Sequence, residues 1–103
     1  MNLERVKELE KFIAEQPGDP FGRYALALEW MGEDPAQAAS LLLHLIGDCP
    51  QYVPSYYQAA LALLDINRME EAKIIIQKGI ETARRCNDQK TATELRSLAE
   101  ELD

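Results

Sequence analysis

The sequence predicts an all-α fold of six helices arranged as antiparallel hairpins. Apolar residues recur at three- and four-residue spacing along nearly the whole chain, and no segment alternates β-branched with polar residues at period two. The helix breakers come in groups, "QPGDP", "GEDP" and "GDCPQYVP", and the windows between them have helical length. The connections are only a few residues long, so each helix must double back on the one before it.

The first helix is expected over residues 2–16, where Leu3, Val6, Leu9, Phe12 and Ile13 form one stripe among Glu and Lys. Pro17, Gly18 and Pro20 stop it. Asp19 suits an N-cap, and Pro20 behind it loses nothing, because the N–H it lacks has no partner in a first turn. The second helix then runs from Pro20 to Met31 and breaks at Gly32. Asp34 and Pro35 repeat the cap-then-proline order and open a third helix over about 35–47. A fourth runs from near Pro54 to about Ile66, with Asn67 suited to a left-handed C-terminal position. The fifth covers Met69 to Cys86. Asn87 and Asp88 turn the chain, and the sixth runs to the end on Ala92, Leu95, Leu98, Ala99 and Leu102.

A length of 103 residues allows one domain, and 47% apolar against 28% charged residues is a globular mixture. The N-terminus "MNLERVKELEK" sets single aliphatics between charges and so lacks the apolar centre of a signal peptide. No apolar run approaches a bilayer span. The expectation is a cytoplasmic protein without membrane association. A net charge of −7 repels phosphate backbones, and the longest basic run is Arg84-Arg85, which disfavours nucleic acid as a partner.

Catalysis finds little footing. The one histidine, His44, sits inside "LLLHLIG" and reads as a solvent-facing or half-buried helix residue. No serine or cysteine has a spaced histidine–acid partner, and no glycine-rich phosphate loop exists. One histidine and two distant cysteines cannot furnish a zinc site. The chain is therefore read as no enzyme, with no catalytic residue, no cofactor and no metal. Cys49 and Cys86 form neither a disulfide framework nor a Cys-x-x-Cys pair.

Residues 20–50 and 55–80 repeat one another. At a shift of 35, Phe21 meets Tyr56, Tyr24 meets Ala59, Ala25 meets Ala60 and Leu28 meets Leu63. Beyond the turn the shift drops to 34, and Ala38 meets Ala72, Leu42 meets Ile76, Leu45 meets Gly79 and Ile46 meets Ile80. The extra residue lies in "GEDP", a loop, where insertions are tolerated. Read this way, Phe21, Tyr24, Ala25 and Leu28 form the packing stripe of the first hairpin. Tyr56, Ala59, Ala60 and Leu63 form that of the second, with small residues where helices approach closely.

This period and these positions resemble the tetratricopeptide repeat (TPR) family, whose pattern is aromatic-x-x-Leu-Gly-x-x-Tyr, then Ala-x-x-x-Phe, then Pro. The second unit reads Tyr56-x-x-Ala59-Ala60-x-x-Leu63, then Ala72-x-x-x-Ile76. The first reads Phe21-x-x-Tyr24-Ala25-x-x-Leu28, then Ala38-x-x-x-Leu42, with Pro50 at the closing proline. Alanine replaces the family's glycine, and Arg84 stands where a second closing proline would, which suggests a longer fifth helix. The resemblance implies a TPR-like α-α superhelix. Residues 1–17 would be an N-terminal capping helix, 19–50 repeat 1, 53–87 repeat 2 and 89–103 a C-terminal capping helix. Cys49 and Cys86 then end successive hairpins, too far apart to bond.

The resemblance also implies a function. The family's first helices line a concave groove that holds a peptide or helix of another protein. Carried over by position, the partner-binding residues are Leu26, Glu29, Trp30, Tyr57, Leu61, Leu64 and Asp65, an apolar strip edged by acids. Trp30 is surplus to the packing stripe and is the expected anchor. Gly22, Leu26, Tyr57 and Leu61 hold the turns where a carboxylate clamp would need cations, so only Arg23 and Gln58 are near. The expected role is a non-catalytic scaffold for another protein, or a self-associating domain whose strip meets a second copy of itself.

Overall fold

The computed structural model describes all residues, Met1–Asp103, and folds them into six helices. These are α1 Leu3–Glu15, α2 Pro20–Met31, α3 Pro35–Asp48, α4 Pro54–Asp65, α5 Met69–Arg85 and α6 Gln89–Leu102. Their starts carry the chemistry that orphan N–H groups require. Asp19 accepts from the Phe21 N–H at 2.9 Å, Asp34 from Gln37 at 3.2 Å, and Asp88 from Thr91 at 3.0 Å. Prolines occupy the first turns of α2, α3 and α4.

Two helix ends close in the same way. Asn67 and Asn87 take left-handed conformations, with φ of 61° and 59°. The Arg68 N–H reaches back to the Leu63 carbonyl at 2.9 Å, and Asp88 to Ala83 at 2.8 Å. Each pairing closes the last turn and sends the chain sharply backwards.

Successive helices pack against one another from α2 to α6, and α2 touches α4 as α4 touches α6. The even-numbered helices thus share one layer, with α3 and α5 behind. Between the layers lies the core. Ala38, Ala59, Ala60 and Ala72 are fully buried and let backbones approach, while Leu42, Leu63, Ile76 and Leu95 fill the space. Gly79 marks the tightest crossing. A methyl there would lie 2.7 Å from the Tyr56 Cβ and 2.8 Å from Leu95 Cδ1.

One expectation fails. Phe21 is 53% exposed and Leu28 37%, whereas their counterparts Tyr56 and Leu63 are 3% and 0% exposed. The core-facing side of α2 is instead Tyr24, Ala27, Trp30 and Met31, one step round the helix. The cause is position in the stack. α4 is enclosed by α3, α5 and α6, while α1 packs on α2 alone and buries no residue of its own. What α2 turns toward α1 therefore stays partly open.

Candidate partner-binding surfaces

The expected strip divides when it is placed on the fold. Tyr57, Leu61 and Leu64 occupy successive turns of one face of α4. All three are half-buried, with their inner sides against the core, and Asp65 beside them is exposed. Leu26 on the adjacent α2 is half-buried as well. Trp30 is half-buried and packs on the core cluster, so it is not surplus to packing. Glu29 turns the other way. Its carboxylate accepts from Arg5 Nη1 of α1 at 3.1 Å, and only 15% of its side chain is exposed.

The polar groups nearest the strip are already engaged. Arg23 pairs with Asp48 at 3.0 Å. Burial pushes the Tyr24 hydroxyl above its usual range, and the neighbouring Gln58 side chain partly offsets that. The Tyr24 and Tyr52 rings meet edge to face at 5.6 Å. Paired with Asp48, Arg23 is not free to clamp a carboxylate. His44 and Cys86 are exposed, Cys49 is half-buried, and both thiols are unbonded.

The largest opening in the molecule lies elsewhere, between α1 and α2. It holds about 430 Å³, with Leu9, Phe12, Phe21, Ala25 and Leu28 on its floor. Arg5, Glu8 and Glu29 stand at its edge. Phe12 meets Phe21 edge to face at 6.4 Å. α1 is fastened around this opening. Gly22 admits the Phe12 and Ile13 side chains where a methyl would come within 2.6 Å of Phe12 Cδ1. The N-terminal ammonium lies 2.7 Å from Glu33, which raises its pKa through the hydrogen bond and the charge.

Sequence reasoning missed this groove. The available signal was an end effect: a first helix with a one-sided apolar stripe and one neighbour cannot cover α2 as α3, α5 and α6 cover α4.

No protein-family model and no curated protein matches the chain. Among solved structures, a tetratricopeptide repeat domain protein from Salinibacter ruber, determined in solution, shares 34% identity over 84% of this chain and 89% of its own, with a TM-score of 0.79. The chain belongs to the tetratricopeptide repeat family. A crystal structure of a TPR domain protein from the same organism agrees, at 33% identity, a TM-score of 0.77, and coverage of 82% and 96%. A solution structure of a Bordetella parapertussis protein matches in fold, with a TM-score of 0.80 at 19% identity over 94% of this chain and 85% of that one. TPR stacks are protein-interaction modules and typically carry no catalysis, and that general role comes to this chain with the family. No helix is long and apolar enough to cross a membrane.

Proposed function

We propose that this TPR domain binds a peptide or helix of another protein on the face that α2 and α4 share, using Leu26, Trp30, Tyr57, Leu61 and Leu64. The observation that supports this is the state of Tyr57, Leu61 and Leu64. Each rests one side on the core and leaves the other open, on successive turns of one helix. Side chains held this way are preorganised, so a ligand orders little on binding. The exposed Asp65 beside them favours a partner with basic flanks. Glu29, held by Arg5, would act there only indirectly, by fixing α2 against α1. The two unbonded cysteines suit a reducing compartment, and the reading is of a cytoplasmic scaffold.

Site-specific photo-crosslinking in cells tests it. A photoreactive residue at position 57 or 61 is expected to trap one discrete partner, and the same residue at the exposed Gln77 of α5 none. An identical adduct from all three positions, or no adduct at 57 and 61, would overturn the reading. An adduct of twice the chain mass would replace it with self-association, which light scattering over a concentration series would show independently.

A further inference from the structure

We propose that the groove between α1 and α2 is a second docking site, and that its occupant is an amphipathic helix of another protein with lysine or arginine beside its apolar stripe. The groove is apolar where it is open. Phe21 and Leu28 are the large exposed side chains on its α2 wall, and Leu9 and Phe12 face them from α1. Phe21 and Leu28 are two turns apart on α2, as Arg5 and Phe12 are on α1. Both walls are therefore about 10 Å long. That is the length over which a helix presents anchors at i, i+3 or i+4, and i+7.

Charge selects the occupant. Arg5 is spent on Glu29, while Glu8 at the same edge has no cationic partner. The edge therefore carries one net negative charge on a chain of net charge −7. A second copy laid face to face would set Glu8 against acids, which opposes that dimer. Nor can a copy dock head to tail through α6. Its outward positions, Glu94, Arg96, Glu100 and Glu101, are exposed and polar, with no apolar stripe to enter the groove. A basic amphipathic helix satisfies both the floor and the edge.

Two synthetic helical peptides of roughly 18 residues test this. They share one leucine stripe and differ only in lysine or glutamate flanks, with fluorescence anisotropy reading binding to the full chain. The lysine peptide is expected to bind, less tightly as salt rises, and the glutamate peptide not to bind. The double variant Phe21→Ser, Leu28→Ser should weaken binding at least about tenfold while keeping the helical circular dichroism. Glu8→Gln, a surface change that leaves the fold alone, should weaken it several-fold and flatten the salt dependence. Leu61→Ser should leave it unchanged. Failure of the lysine peptide to bind, equal binding of both peptides, or full binding by the double variant each overturns the proposal. Loss of binding in Leu61→Ser alone would move the peptide to the α2/α4 face, sinking the groove and leaving the reading above intact.

Discussion

Two glycines at close crossings separate what a fixed neighbour costs from what a movable one costs. At Gly79 the obstructing atoms are the Tyr56 Cβ and Leu95 Cδ1, both deep in the core. Tyr56 is further fixed, because its hydroxyl donates to the Pro50 carbonyl at 2.6 Å. Gly79→Ala should therefore overpack and lose about 1–3 kcal/mol, more than the roughly 1 kcal/mol that alanine returns in helix propensity. At Gly22 the nearest atom belongs to the half-buried Phe12 ring on the edge helix, which can swing. Gly22→Ala should thus melt close to the parent, and the order of the two melting temperatures checks the argument. Ser55 is a third case. Its hydroxyl is fully buried in α4 without a partner, so Ser55→Ala should leave stability unchanged or raise it by about 1 kcal/mol. Trp30→Ala should behave as a core deletion, costing about 2 kcal/mol or more. For a domain near this size, each kcal/mol lowers melting by roughly 4–8 °C. An unchanged melt would return Trp30 to the role of a free anchor.

At the scale of elements, the starts, the stops and the small positions Ala38, Ala60 and Ala72 were legible in the sequence, and the rotation of α2, which leaves Ala25 at the open groove, was not. Asp19, Asp34 and the two asparagines act locally, so their chemistry can be read from spacing alone. α2 has two apolar faces, Phe21–Ala25–Leu28 and Tyr24–Ala27–Trp30–Met31, and periodicity cannot choose between them. The choice is tertiary, made by which neighbours enclose the helix. For the same reason the Arg5–Glu29 pair, joining helices across a loop, left no trace in local pattern. The joint between α2 and the α3–α4 connection carries a pH signature. Burial raises both Tyr24 and Tyr52 above the ordinary tyrosine range, and Tyr24 and Asp19 raise Tyr52 further. Neutral hydroxyls are thus favoured by folding. Their contribution is fully present below about pH 10 and is lost as pH rises through the higher folded values. Melting temperature should hold from neutral pH to about 9 and fall beyond about 10, and Tyr52→Phe should soften that fall. At the acid end Asp88 works in the opposite sense. The Thr91 backbone N–H and hydroxyl hold its carboxyl below the usual range, so its contribution is present above that range and fades in acid.

Across the whole molecule, a stack of hairpins is stabilised by neighbours, and its ends have fewer of them. The two ends here are unequal. α6 packs on both α5 and α4 and buries Ala92, Leu95 and Leu98. α1 packs on α2 alone, buries no residue completely, and is fastened by the Phe12–Gly22 approach and by the pairs Arg5–Glu29 and Met1–Glu33. Ion pairs that leave one partner in solvent, as Arg5 and Glu33 are here, contribute little and weaken with salt. α1 should therefore detach in local openings long before the chain unfolds globally. Amide hydrogen exchange on the full chain is expected to be fastest among the helices in Leu3–Glu15, faster still in high salt, and slowest in α4 and α5. The lysine peptide, if it occupies the groove, bridges α1 to α2 and binds only the closed form. It should then slow exchange in α1 specifically, by the factor one plus the ratio of free peptide concentration to Kd. Equal protection of α1 and α6 without peptide would contradict the end asymmetry. Protection of α4 in place of α1 with peptide bound would assign the ligand to the α2/α4 face, because only an occupant that touches both α1 and α2 can hold the edge helix down.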